Sequence, residues 1–179
     1  MDEPLVFPDA IHSLVDVWAD PSSARRAFAE LNVQVDRLEP AYPVGVFRTL
    51  LERTARARFP ELPLDEALFE VGRASVEPYS KTALGTAIAA MLRLIGPARA
   101  LRRIARTLRS TNNYSNAVVT QLGATEFEVT LDLVVRPPYE QGIISAGLAL
   151  AGARDVSVEV VKHEETQQGE TAVFRVRWA

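Results

Sequence analysis

The spacing of apolar residues along this chain changes once, near residue 115. Before that point they recur every three to four positions, as on one face of a helix. After it they recur every second position, as on one face of a strand. Ile11, Leu14, Val15 and Trp18 predict a first helix over 8–18, and Asp20 or Ser22 is placed to cap a short second helix reaching Leu31. "EPAYPVG" reads as a turn, and Val46, Phe47, Leu50, Leu51 and Thr54 share one face of a helix over 44–58. In "FPELPLDEALFEVGR" a break precedes a short helix, with Pro63 suited to its first turn. "TALGTAIAAMLRLIG" and "PARALRRIARTLR" predict two more helices, parted by a Gly-Pro pair that ends one and begins the next.

"STNNYSN" then reads as the loop that closes the helical half. "AVVTQLG" and "TEFEVTLDLVVR" predict a hairpin turning near Gly123, with Phe127, Val129, Leu131, Leu133 and Val135 alternating against polar neighbours. "DVSVEVV" and "AVFRVRWA" predict a second hairpin around the polar tip "KHEETQQGE", with Ala172, Phe174, Val176 and Trp178 facing in. Between the hairpins, "YEQGIISAGLALAGA" is long enough for a crossover helix, whose Gly142, Ala146, Ala149 and Ala153 suit a close approach to the sheet. The expected fold is therefore α+β. About six helices over 1–111 pack on a four-stranded antiparallel sheet over 115–179, with one helix inserted between its hairpins, all in one domain over 1–179.

Two of these helices have no polar side. "ALGTAIAAML" and "GIISAGLALAGA" carry no charge in their central turns, and a helix apolar all round has to be covered on every face. The cover is the helical half of the same chain, a second subunit or a hydrophobic ligand. Met91, Leu94, Ile144 and Leu148 are the apolar residues expected at a dimer or ligand contact.

Composition narrows the chemistry. The 179 residues are 47% hydrophobic and 24% charged, a globular profile, and no apolar run approaches the roughly 18 residues of a membrane span. There is no cysteine, which excludes disulfides, thiolate metal sites and cysteine catalysis and fits a reducing cytoplasm. The acidic start "MDEPLVFPDA" lacks the basic region of a secretory signal, so a cytoplasmic location is expected. Net charge is −3, and with no aromatic platform beside the basic residues a nucleic-acid partner is not expected.

The stretch that looks chemical is "PYSKTALGTA". A phosphate loop needs glycines before its lysine so that backbone amides turn inward, and here Pro78 lacks the donor required. Ser80 or Thr82 is expected to cap the next helix instead. Arg99, Arg102, Arg103, Arg106 and Arg109 recur at helical spacing, with no acid among them. They form a candidate anion- or partner-binding face, although a solvated face paired with neighbouring acids is preferred.

The order "YPVGVFRTLLERTA", "FPELPLDEALFEVGR", "PYSKTALGTA", "IGPARALRRIARTLRSTNNY" and "FRVRW" resembles a myxobacterial paralogous family of unknown function (domain-of-unknown-function 2378 type). Its most specific parts are the spacing of Gly72, Arg73, Tyr79, Thr82 and Gly85 and the terminal Phe174, Val176 and Trp178. That family is similar in fold to the haem-nitric-oxide-binding, vinyl-reductase-type and vesicle-tethering superfamily. The resemblance implies a helical half, then an antiparallel sheet interrupted by a helix, and it implies ligand sensing or protein docking, often by dimers, rather than catalysis.

Haem-binding relatives use a helix histidine and a tyrosine-serine-arginine motif. Here the histidines are His12, on the first helix, and His163, at the tip of the last hairpin. In "NNYSNAV", Asn116 and Val118 stand where serine and arginine belong. No cofactor, no metal and no catalytic residue is expected, and the cofactor-binding residues of any sensor are not identified. The expected function is a non-catalytic, homodimeric protein-interaction module. Its alternative is a sensor for a small hydrophobic ligand between helical half and sheet, in a cavity lined by Met91, Leu92 and Phe127.

Overall fold

Apolar stripes at helical spacing and alternating strands sort the chain into three layers. A computed structural model describes residues 3–81, 83–166 and 169–179, with side chains except at 77–81, 83–88, 104–107, 109, 166 and 169. Among the described residues the helices are α1 (Pro8–Val17), α2 (Pro21–Ala29), α3 (Val44–Arg58), α4 (Leu64–Lys81), α5 (Ala83–Ile95), α6 (Pro97–Thr111) and α7 (Pro137–Leu150). The strands are β1 (Leu5–Val6), β2 (Tyr42–Pro43), β3 (Ala117–Gln121), β4 (Glu126–Val134), β5 (Ser157–Thr166) and β6 (Gly169–Arg177). The four long strands form one antiparallel sheet in the order β3-β4-β6-β5, and β1 and β2 form a small separate pair. The α+β expectation, with a helix between two hairpins, is what the chain adopts.

Local chemistry accounts for several boundaries. Asp20 caps α2 by accepting from the amides of Ser22 and Ser23, and Pro21 follows in the first turn. Thr54, on the buried face of α3, gives its hydroxyl proton to Leu50 O and accepts from Trp18 Nε1 at 2.9 Å. The segment read as a closing loop also ties down the N-terminus. Phe7 N donates to Thr111 O, Leu5 N to Asn113 Oδ1, and Asn113 Nδ2 to Glu3 O.

Two expectations change. The helix read as short runs 18 residues, from Leu64 to Lys81, and takes in Pro78. A proline removes one helical hydrogen bond, and the helix nevertheless continues to Lys81. The second hairpin is also longer than expected, because "KHEETQQGE" is mostly strand, with β5 and β6 paired out to Thr166 and Gly169. The pairing shifts between Val160 and Lys162, so two residues of β5 face one of β6 there and the alternation changes phase. A reading by strict alternation stops at that bulge.

Helix α7 is the middle layer. Tyr139 and Ile143 pack into a core with Ile11, Leu14, Phe47, Leu50 and Leu68 of the helical half. Ile144 and Leu148 pack into a second core with Phe127, Val129, Phe174 and Val176 of the sheet. Close approach to α4 depends on two glycines. A Cβ on Gly72 would lie 2.1 Å from Tyr139 O, and one on Gly142 would lie 2.1 Å from Phe69 O. Gly142, expected to face the sheet, therefore faces another helix.

Candidate functional site

An open groove of about 840 Å³ lies where α4, the start of α7 and the edge of the sheet meet. Its apolar surface comes from Leu62, Phe69, Pro137, Pro138 and Val160. Arg136, His163 and Glu170 supply a charged wall, and Asp65, Glu66 and Glu70 an acidic rim.

Each wall residue is placed by a local feature. Arg136 is the extended residue just before α7. His163 pairs with Ala172 just beyond the β5 bulge, which turns it to the same sheet face as Val160. This corrects its expected position at a hairpin tip. Glu170 occupies the inward phase of β6, two residues before Ala172, and only 5% of its surface is exposed.

A buried carboxylate needs charged or hydrogen-bonding partners, and Glu170 has two arginines and a histidine. Arg48 Nη2 is 2.9 Å from Oε1, Arg136 Nη1 is 3.8 Å from the same oxygen, and His163 Nε2 is 3.1 Å from Oε2. Arg136 also donates to Glu52 of α3 through Nε and Nη2. That bond, chiefly, holds the guanidinium proton more firmly than usual. The cluster thus fastens α3, the start of α7 and both strands of the second hairpin together beside an apolar surface. Such an arrangement suits a small molecule with an apolar body and a polar end.

A second polar group lies deeper. Glu140, in the first turn of α7, accepts the Val135 amide through Oε1 at 3.0 Å, and Oε2 has no partner among the described residues. Its neighbours are Leu108, Val129, Leu131, Ile143 and Ile144, around a gap of about 10 Å³. Burial pushes the Glu140 carboxyl up to about 7, against the pull of backbone amides. Burial likewise raises the hydroxyl of Tyr139 to about 12, and it raises that of Tyr114 too.

The residues picked out from sequence are scattered. Ile144 and Leu148 are buried in the sheet-side core, whereas Met91 and Leu94 of α5 are 45% and 86% exposed. Phe127 is buried and stacked on Trp178 with centroids 5.1 Å apart, so Met91, Leu92 and Phe127 do not line one cavity. Arg99, Arg102 and Arg103 are exposed on α6. Arg102 donates to Gln121 Oε1 at 2.7 Å and lies 6.0 Å from the Phe127 ring, while Arg99 and Arg103 pair with no acid among the described residues. The preferred picture of arginines matched to nearby acids is thus corrected for these two. The side chains of Arg106 and Arg109 lie outside the described residues, as do those of Tyr79 and Ser80, the surroundings of Gly85 and the whole of Thr82. Ser80 sits within α4, so it is not the cap expected there.

The Glu52–Arg136–Glu170–Arg48 cluster has no signature in any one stretch, since its members come from three distant segments: α3, the start of α7 and β6. One sign was available: extending the inward series Trp178, Val176, Phe174, Ala172 back by two reaches Glu170, a charge in an apolar phase.

Residues 5–179 match the family model described as "Protein of unknown function (DUF2378)". The chain belongs to this family. Of the resemblance noted in DUF2378 members, Gly72 is explained by the α4–α7 crossing and Phe174, Val176 and Trp178 by the sheet core. No curated protein matches the sequence.

Among solved structures this DUF2378 protein is similar to an oxygen-binding H-NOX domain related to soluble guanylate cyclases. The TM-score is 0.65 at 13% identity, over 95% of this chain and 91% of that one. It is also similar to a structure solved to probe haem distortion in the H-NOX family, with TM-score 0.64 at 14% identity over 96% and 92%. A point mutant of the T. tengcongensis H-NOX gives 0.60 at 13% identity over 94% and 93%. The shared property is the fold.

Haem, which such neighbours bring into question, does not fit the residues present. His12 is exposed on α1, and His163 is on β5 against Glu170, so neither faces the space between α6, α7 and the sheet. That space is about 10 Å³ among the described residues and is lined by aliphatic side chains and Glu140. No group of three His, Cys, Asp or Glu among the described residues is arranged to hold a metal ion. No described helix is long and apolar enough to cross a membrane.

Proposed function

We propose that this domain is a non-catalytic sensor that binds a small amphipathic molecule in the groove between its helical half and its sheet. The observation that carries the reading is the buried Glu170. It spends its charge holding Arg48, Arg136 and His163 in place at the wall of a groove with an apolar surface. A ligand there touches α4, α7 and β5 together, so binding changes how the middle helix sits between the two cores. The H-NOX-like fold supports a sensing role by analogy and says nothing of this groove.

The homodimeric docking module is less well supported. The sheet covers Ile144 and Leu148, so of the four residues expected at such a contact only Met91 and Leu94 remain exposed.

Native mass spectrometry of the purified protein tests the sensor reading. A bound small molecule is expected in the parent and is expected to be lost in Val160→Trp, which fills the groove from a half-exposed edge position. Absence of any adduct in the parent, together with no melting shift across a panel of amphipathic amines and acids, would defeat it.

A further inference from the structure

The net charge of −3 is the sum of two unlike parts. From Pro78 to Thr125 the chain contains no Asp or Glu and seven cations, six arginines and Lys81. The other thirteen cations share the rest of the chain with all twenty-three acids. The basic stretch spans the last turn of α4, then α5, α6 and β3, with α6 packed against both α5 and β3.

At the junction of α5 and α6 the chain turns at Gly96, whose φ of +79° lies in the region that favours glycine. Leu94, just before this turn, is 86% exposed, and Met91 is exposed one helical turn earlier. Arg93, next to Leu94, and Arg99 and Arg103, in the first two turns of α6 after Gly96, are exposed and pair with no acid among the described residues. An exposed apolar tip is therefore flanked along the chain by exposed guanidinium groups without acidic partners among the described residues.

We propose that this corner docks the domain on the surface of an anionic phospholipid bilayer. Leu94 and Met91 enter the boundary between headgroups and acyl chains, while the arginines meet lipid phosphates, which the planar guanidinium binds through two parallel hydrogen bonds. Their stems lie along the apolar boundary with the charged ends in the headgroup layer. Shape favours a bilayer over an acidic protein surface. A leucine projecting from a turn needs a shaped recess in a protein partner, whereas a bilayer accepts it without one. The excess of acids elsewhere turns the rest of the molecule away from the membrane and fixes one orientation. The proposal does not depend on the groove.

Co-sedimentation of the full chain with phospholipid vesicles tests it. Binding is expected to vesicles with about 30% phosphatidylserine in phosphatidylcholine, not to pure phosphatidylcholine, and it is expected to weaken as salt rises. The double change Arg99→Glu and Arg103→Glu, and separately Leu94→Asp, should each lower binding at least about tenfold while leaving the melting temperature near that of the parent. Val160→Trp should bind as the parent does, which separates this result from the groove reading. If the double variant unfolds, Leu94→Asp decides alone, since its site is exposed. The proposal fails if anionic vesicles are not bound, if neutral ones are bound equally, or if folded variants bind like the parent. Binding to polyglutamate but not to vesicles also overturns it, and assigns the corner to acidic proteins.

Discussion

Helices α5 and α7 look alike as sequence: both are rich in Ala, Leu and Ile, and neither has a charge in its central turns. In the fold they part. α7 lies between two cores, with Tyr139 and Ile143 in one and Ile144 and Leu148 in the other. α5 ends at an outer corner with Met91 and Leu94 in solvent. Hydrophobicity states that a helix tends to be covered; it does not state by what. The difference lies in close approach, since Gly142 lets α4 cover one side of α7 while the sheet covers the other.

The glycine crossing offers the strongest way to break this contrast. Gly142→Val places a side chain against Phe69 O and forces the two helices apart, so a loss of about 3–5 kcal/mol is expected in urea unfolding. Gly147→Ala on the same helix, with nothing within 4 Å of the new Cβ, should change stability by no more than about 1 kcal/mol, in the stabilising direction. Equal losses at both positions would show that α7 is not held by its crossing with α4.

Truncations sharpen it next. Leu148→Ala empties a buried position and should cost about 3 kcal/mol, whereas Leu94→Ala should stay within roughly 0.5 kcal/mol. Comparable costs would mean that α5 is covered after all, by a second copy of the chain, and light scattering would then give a dimer.

Proton linkage distinguishes the two helices more gently. Glu140 on α7 has its carboxyl raised to about 7 from an ordinary value of 4.5. The folded state therefore holds a proton that the unfolded state has released over that range, and stability from this group falls as pH rises from about 4.5 to about 7. Glu140→Gln should remove that slope, a change on the order of 1–3 kcal/mol between the two ends. The check is a set of unfolding curves at several pH values. A slope unchanged in the variant would mean that Glu140 stays ionised throughout.

Much of the fold was legible because it rests on intervals. The stripe Val46, Phe47, Leu50, Leu51, Thr54 delimits α3 at 44–58, and the alternation Phe127, Val129, Leu131 marks β4 as far as its register shift, beyond which Val134 rather than Leu133 is buried. Asp20 and Pro21 marked the start of α2 by a local hydrogen-bonding need. Legibility failed where the spacing was overridden, as when α4 continued through Pro78 and when β5 ran on past its bulge, leaving His163 within the strand rather than at its tip.

The groove was hardly legible. Arg48, Glu52, Arg136 and Glu170 gain meaning only together, and only Glu170, out of place in an apolar phase, gave a local sign. By itself the sequence determined the two halves, the period of each element and the two apolar helices, because these depend on one-dimensional spacing and nearby hydrogen bonds. Tertiary structure alone decided that α7 is enclosed and α5 reaches the surface, and that distant charges meet at a groove. Those outcomes depend on how layers stack, and a single close contact between glycine backbones directs that stacking.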